Sequence, residues 1–368
     1  MKSFSLRTWS GLCVAALTFV SCSKEAKEAR LQNHNEIAAV AAETDPDGAM
    51  LAKLLQQNGP QYEFFKVDGR QGGRIKTKQG SVYTISPNSL TTQSGGPVSG
   101  TVDIVIKEIL KPSSMIFASR PTANNGGAQL TSYGEFFVRA SQAGQDLKLR
   151  VDSAVAVQVP VAKRPGQDGV PLWGGDTSVI ITTSGYNDVN QPVTIPVAAS
   201  ANQGVSWNPA PGFALFDGST STLNFRLDSL MTWRNCDALT NLPGPKTTVL
   251  GYFTNFYNPA TQTSYGGEEP CMLFFKPSGV NTVVKLYNVI LNAPVGRQGL
   301  LSYQNSVPIG QAGTFLAITA LNGGFFAQKL PVNIPTPPGG QNYVSISFSL
   351  APVTPAALVA LIQSMDTP

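Results

Sequence analysis

An all-β fold of two β-sandwich domains is predicted by three features of this 368-residue chain. Turn formers are abundant, with 35 Gly and 27 Pro, while charged residues make up only 13 %. Short segments alternate apolar and polar residues at period two, as half-buried strands do. Gly-rich turns separate these segments at the close spacing of a sandwich. An apolar fraction of 42 % is ample for a buried core, which excludes a disordered chain.

The first element is not part of that fold. Lys2 and Arg7 open a basic start, Leu12 to Val20 form a compact apolar run, and Phe19-Val20-Ser21-Cys22 closes it. The run is too short for a mature spanning helix and has the order of an export signal. A small residue directly before cysteine points to a bacterial lipoprotein signal, residues 1–22, in which Cys22 is lipidated and becomes the first residue. Phe19 departs from the Leu usual three residues before that cysteine. Loss of Lys2 and Arg7 with the signal takes the formal charge from +4 to about +2, with no Lys/Arg cluster of the kind nucleic acid requires.

Residues 23–61 read as a helical or flexible tether. Helical stretches are expected at Glu36–Glu43 and Gly48–Gln57, with a turn at Asp45-Pro46-Asp47-Gly48 between them. That turn lacks the later ligands of an EF-hand, including its bidentate Glu, so it is read as a turn and not a calcium loop. The segment is expected to hold the folded part away from a membrane.

Strand signals begin near Tyr62, and 62–165 is expected to be the first sandwich. Ser81 to Ser86 alternates; Val102, Ile104 and Ile106 share one face of a strand from Gly100 to Leu110. Gly134–Ala140 and Leu147–Pro160 follow, with Val155, Val157 and Val159 on one face. The stretch 166–235 holds loops such as Trp207-Asn208-Pro209-Ala210-Pro211-Gly212 and is expected to bridge. A second sandwich is expected over 236–368. Its strands are read at Thr247–Phe253, Cys271–Lys276, Thr282–Val289, Gly313–Leu321, Phe325–Val332 and Tyr343–Leu350. A final helix carries Thr354 as N-cap, Pro355 in its first turn, and Leu358, Leu361 and Ile362 on one side.

The run Gly72-Gly73-x-Ile75, Gly80-x-x-Tyr83-x-Ile85-x-Pro87-x-x-Leu90, with the strand after it, resembles the ZU5 domain pattern over about Phe64 to Pro160. Ser132-Tyr133-Gly134-Glu135-Phe136-Phe137-Val138 and Trp233-Arg234-Asn235-Cys236-Asp237 resemble segments recurring in surface lipoproteins of Bacteroidota. The resemblance implies a fold and not a chemistry. Some ZU5 domains cleave themselves at a His-Phe-Ser step, and the one histidine here, His34, lies in the tether, so autoproteolysis is not carried over.

The same lack of histidine leaves the folded part without a Ser-His-Asp or Cys-His site or a His-based zinc centre, and no metal or cofactor is expected. Carboxylates remain. Glu135 sits in an apolar strand, and Glu108, Asp146 or the Glu268-Glu269 pair are candidate partners for glycoside hydrolysis, which needs about 5–9.5 Å between carboxyls. Trp173, Tyr186, Trp207 and Tyr257 fall in or near Gly/Pro/Asn-rich segments and are the candidate glycan-contact aromatics, with core packing as the competing reading. Asp176, Asp188 and Asp217 with Asn187 and Asn190 match no calcium-loop spacing. Cys236 and Cys271 either pair in an oxidising compartment or stay as buried thiols.

The expected function is therefore non-enzymatic: a membrane-anchored extracytoplasmic lipoprotein acting as a display or interaction module. Its expected place is the bacterial cell envelope, at the outer membrane. Its partners are the membrane, through the lipid, and an envelope protein or glycan, with no nucleic acid. The alternative is glycan binding through aromatic loops, and a carboxylate-based glycoside hydrolase comes third.

Overall fold

The structure is a computed structural model that describes residues 45–122, 129–162, 164–176, 180–186, 192–198, 206–240, 244–262, 269–286, 288–290 and 293–367. Cys22, His34 and the expected Glu36–Glu43 helix lie outside these residues.

The described chain opens on helix α1, Pro46–Asn58. Asp45 caps it: its Oδ1 accepts the backbone N–H groups of Asp47 and Gly48, both at 2.9 Å. Pro46 occupies the first turn, where a missing N–H costs nothing. Leu51, Leu54 and Leu55 form one buried face. Asp47 reaches out and accepts the N–H groups of Asn322 and Gly323 at 2.8 and 2.7 Å. This part of the expected tether is therefore docked on the folded body, because its leucines have a core to enter.

The first half comprises β1 Glu63–Asp68, β2 Gly73–Lys76, β3 Val82–Ile85, β4 Leu90–Thr91, β5 Thr101–Ile109, helix α2 Pro112–Phe117, β6 Leu130–Gln142, β7 Gln145–Asp146 and β8 Lys148–Leu149. It continues through β9 Val155–Pro160, β10 Gly169–Asp176, β11 Ile180–Tyr186, β12 Pro192–Ala198, β13 Ser206–Asp217, β14 Thr222–Leu227 and β15 Trp233–Leu239. One antiparallel sheet runs β1-β5-β6-β15-β10-β13-β14-β9-β3-β2, with β7 on β6; β4 with β8 and β11 with β12 form separate pairs. The two end strands are sequence neighbours bridged at Asp68 and Gly72, so the sheet folds back over its own core. Val67, Ile75, Tyr83, Ile104, Phe136 and Val157 meet inside it. Residues 166–235 do not bridge: β10, β13 and β14 are interior members of this sheet, and β15 crosses the expected 235/236 boundary.

The second half comprises β16 Lys246–Phe253, β17 Cys271–Pro277, β18 Val284–Leu286, β19 Asn288–Val289, β20 Gly299–Leu301, β21 Val307–Pro308, β22 Ala312–Leu321, β23 Gly324–Asn333, β24 Tyr343–Phe348, β25 Ala351–Val353 and helix α3 Pro355–Gln363. One sheet runs β19-β20-β16-β21, with β24 parallel to β16; the other runs β18-β17-β22-β23-β25. They close on Phe253, Leu273, Phe275, Phe315 and Phe348. The sheets approach closely at Gly251, where a Cβ would stand 2.2 Å from Leu273 Cδ2. Thr354 caps α3 as expected, its Oγ1 accepting the N–H of Ala357 at 3.2 Å.

A third core joins the halves. Leu51 and Leu55 of α1, Ile116 of α2, Phe137 and Trp233 of the first sheet, Phe274 and Leu316 of the second half, and Leu358 and Ile362 of α3 belong to one buried cluster. Polar contacts seal it: Ser132 N–H donates to Asn281 O at 2.9 Å, Thr122 N–H to Val283 O at 2.8 Å, and Ser113 to the Asp366 carboxylate. Cys236 lies in the first core and Cys271 in the second, both as free thiols. The disulfide expectation falls because the two cysteines belong to different cores.

Candidate functional site: a buried carboxyl pair at the junction

The two segments that resemble envelope lipoproteins, Ser132–Val138 and Trp233–Asp237, turn out to be paired strands. Asn235 stands opposite Glu135, and Asp237 opposite Ser132. Two steps along β15 thus match three along β6, a bulge at Tyr133-Gly134. Gly134 carries it at φ +131°, a backbone conformation side chains resist, and a Cβ there would meet Leu110 Cδ2 at 2.5 Å. The extra residue reverses the side-chain alternation. Ser132 and Glu135, an odd distance apart, therefore share a face with Asn235 and Asp237.

That face looks into the junction core. Asn235 Nδ2 donates to Asp237 Oδ2 at 2.5 Å, Ser132 Oγ to Asn235 Oδ1 at 3.4 Å, and Trp173 Nε1 to the Asp237 carbonyl at 2.9 Å. Glu135 and Asp237 are both 0 % exposed. Neither Glu135 carboxyl oxygen has a hydrogen-bond partner, and Asp237 Oδ1, Trp207 Nε1 and the Gln129 amide are likewise unbonded. Arg120, itself buried, holds its guanidinium 4.4 Å from the Trp233 ring centre.

Burial drives the electrostatics. It pushes the Glu135 carboxyl well above the ordinary range; Arg120 opposes this, Asp237 adds to it, and Lys107 opposes it. Burial also raises Asp237 to about 7, against the lowering influence of the neighbouring Ser132, Asn235 and Tyr133 backbone. The Cys236 thiol is raised by burial and by Asp237. Near neutral pH Asp237 is thus close to half-ionisation, on the same face as a Glu135 whose burial favours the protonated form. Water reaches neither carboxyl.

The partners considered for Glu135 are placed elsewhere. Glu108 accepts from Tyr83 Oη and Thr77 Oγ1, both at 2.8 Å, and burial raises it while those hydroxyls lower it. Asp146 pairs with Arg139 at 2.5 Å, and Glu269 pairs with Lys285. Glu268 lies outside the described residues. Asp237 is the carboxyl that couples to Glu135, and no spacing in the sequence pairs the two. The Tyr-Gly step before Glu135, a bulge signal inside an apolar strand, was the clue available.

The candidate glycan aromatics do not form an exposed face. Trp173 and Trp207 are buried in the junction core, and Tyr257 is buried in the second-half core. Tyr186 ends β11, and its side chain lies outside the described residues. Rings of this size are drawn into a core whenever one is near. Asp217 holds its own turn, accepting from Ser219 and Thr220; Asp176 ends β10, and Asp188, Asn187 and Asn190 lie outside the described residues. Among the described residues no three of His, Cys, Asp and Glu converge as a metal donor set. Comparison with known proteins returns no match: no family model, no curated protein and no solved structure matches this chain.

Proposed function

We propose that this chain is a non-enzymatic lipoprotein of the bacterial cell envelope, held at the outer membrane by lipid on Cys22. Its folded body acts there as a display or interaction module. The observation that carries this reading is the docking of α1. The first described helix is stitched to the β22–β23 turn through Asp47, so the chain that follows an N-terminal anchor enters a body whose two halves share one core. The lipoprotein-type end of the signal and the ZU5-like resemblance support the same reading. Among the described residues no helix is long and apolar enough to cross a membrane.

Placement of the carboxylates favours it over hydrolysis. Glu135 and Asp237 are sealed, while Glu108, Asp146 and Glu269 are engaged inside the protein. Burial of Trp173, Trp207 and Tyr257 removes three of the four rings on which glycan binding rested.

Metabolic labelling with a clickable palmitate tests the anchor. Wild type is expected to take up label and fractionate with membranes, and Cys22→Ala to do neither. Equal labelling of both proteins refutes the anchor. Cross-linking on intact cells followed by affinity capture tests the module, and recovery of no discrete partner counts against it.

A further inference from the structure

We propose that the outer face of β2, β3, β9 and β14 lies on a bilayer and docks against anionic lipid headgroups. Strand alternation builds this face. Ile75, Tyr83, Ile85, Val155, Val157, Val159, Leu223 and Phe225 point into the core, and the residues between them point out. The register sets the outward residues in rows. Arg74 is opposite Thr84, Thr84 opposite Ala156, and Ala156 opposite Arg226. The next row runs Lys76, Val82, Gln158, Asn224 and then Leu215 of β13.

Neither row contains an acidic residue. Small Thr84 and Ala156 leave a level floor between two arginines about 14 Å apart, three interstrand spacings. Arg74, Lys76 and Arg226 make no salt bridge among the described residues, whereas on β1 and β5 Lys66 is paired with Asp103. At one end the Arg150–Ser153 turn, with Asp152 at φ +65°, overhangs an open groove of about 670 Å³. Lys148, Arg150 and Arg226 line it together with Asp152 and Asp228, and Asp228 is already paired with Arg234 at 2.9 Å. The surplus charge of the face is positive.

Apolar side chains stand exposed around the same face. Phe213 and Leu215 of β13 are 60 and 61 % exposed, and Val151 at the groove rim is 84 % exposed. Guanidinium and ammonium groups beside exposed apolar side chains match the two layers of a bilayer surface, phosphates above and the acyl boundary below. A soluble acidic polymer would satisfy the cations and leave Phe213 and Leu215 in water. The surface therefore fits a membrane best.

This inference goes beyond the anchor proposal and does not depend on it. The stretch from Cys22 to Asp45 extends at most ~80 Å, so a lipid there would leave the facing side open. The test uses the full-length chain carrying Cys22→Ala, sedimented with phosphatidylcholine vesicles or with vesicles also containing phosphatidylglycerol. Preferential binding to the anionic vesicles, weakening as salt rises, is expected. Because each cation near such a surface contributes about fivefold, Arg74→Gln/Lys76→Gln/Arg226→Gln should lower the partition coefficient by roughly a hundredfold. Phe213→Ser/Leu215→Ser should weaken binding with the salt slope unchanged, and Lys66→Gln should change nothing. The apolar N-terminal run is common to every variant, so differences between them read the face. Unchanged urea midpoints establish that the variants are folded. Equal binding to both vesicle types, or a triple variant that binds like wild type, overturns the proposal. Charge-dependent binding to polyglutamate without binding to vesicles also overturns it, in favour of an acidic polymer.

Discussion

Asp237 shows what burying a carboxyl does to a fold. Its folded pKa, near 7, lies above the unfolded value near 4, so the native state holds the proton more tightly. The stability gained from that proton is fully present below about pH 4 and is lost as pH rises towards 7. At about 1.4 kcal/mol per pKa unit, the loss is on the order of 4 kcal/mol. Asp237→Asn keeps an acceptor for Asn235 and removes the titration. Urea midpoints measured from pH 4 to 8 should therefore fall less steeply in Asp237→Asn than in wild type; identical slopes would refute the assignment. Gly134 is the second sensitive residue. Alanine there must hold a positive φ and push into Leu110 and Phe136, so Gly134→Ala should cost about 2–4 kcal/mol in chemical denaturation.

Helix α1 shows how an element acquires its role from its surroundings. The sequence places a helix at Gly48–Gln57 after a turn at Asp45-Pro46-Asp47-Gly48; the structure starts it earlier, at Pro46–Asn58, because Asp45 caps it and Pro46 fits its first turn. Its docking was not legible, because an amphipathic face says that something covers it without saying what. Leu51 is fully buried in the junction, so Leu51→Ala should cost about 2–5 kcal/mol, read from the thermal or urea midpoint. The strands divide in the same way. In β3 and β9 one face is buried and the alternation is plain. Strand β13 carries Pro209, Pro211 and Gly212 and reads as a loop, yet it pairs with β10 through a register shift at Pro171/Leu172. Gly212, at φ +98°, lies in the irregular stretch of β13 opposite that shift. Turn residues inside a bulge imitate a turn between strands.

At the scale of the whole molecule, the junction core makes the two halves one mechanical unit. Trp173, Trp207 and Trp233 belong to the first half, so their fluorescence reports on it. Phe274, on β17 of the second half, is buried against the same cluster. Phe274→Ala should lower stability by about 3–5 kcal/mol and shift the tryptophan-fluorescence and far-ultraviolet dichroism midpoints together. Two separated transitions, with fluorescence unmoved, would show that the halves unfold independently.

Composition and alternation by themselves determined the all-β class, the capped C-terminal helix and the strands with one buried face, because those depend on neighbours along the chain. Only the tertiary structure decided that 166–235 completes the first sheet, that the cysteines lie in different cores, and that Trp173, Trp207 and Tyr257 are buried. It also decided that Glu135 shares a face with Asp237, through a bulge that turns two distant segments the same way. Each of these is a matter of which surfaces find each other across hundreds of residues. Local propensity carries no record of that choice; packing makes it.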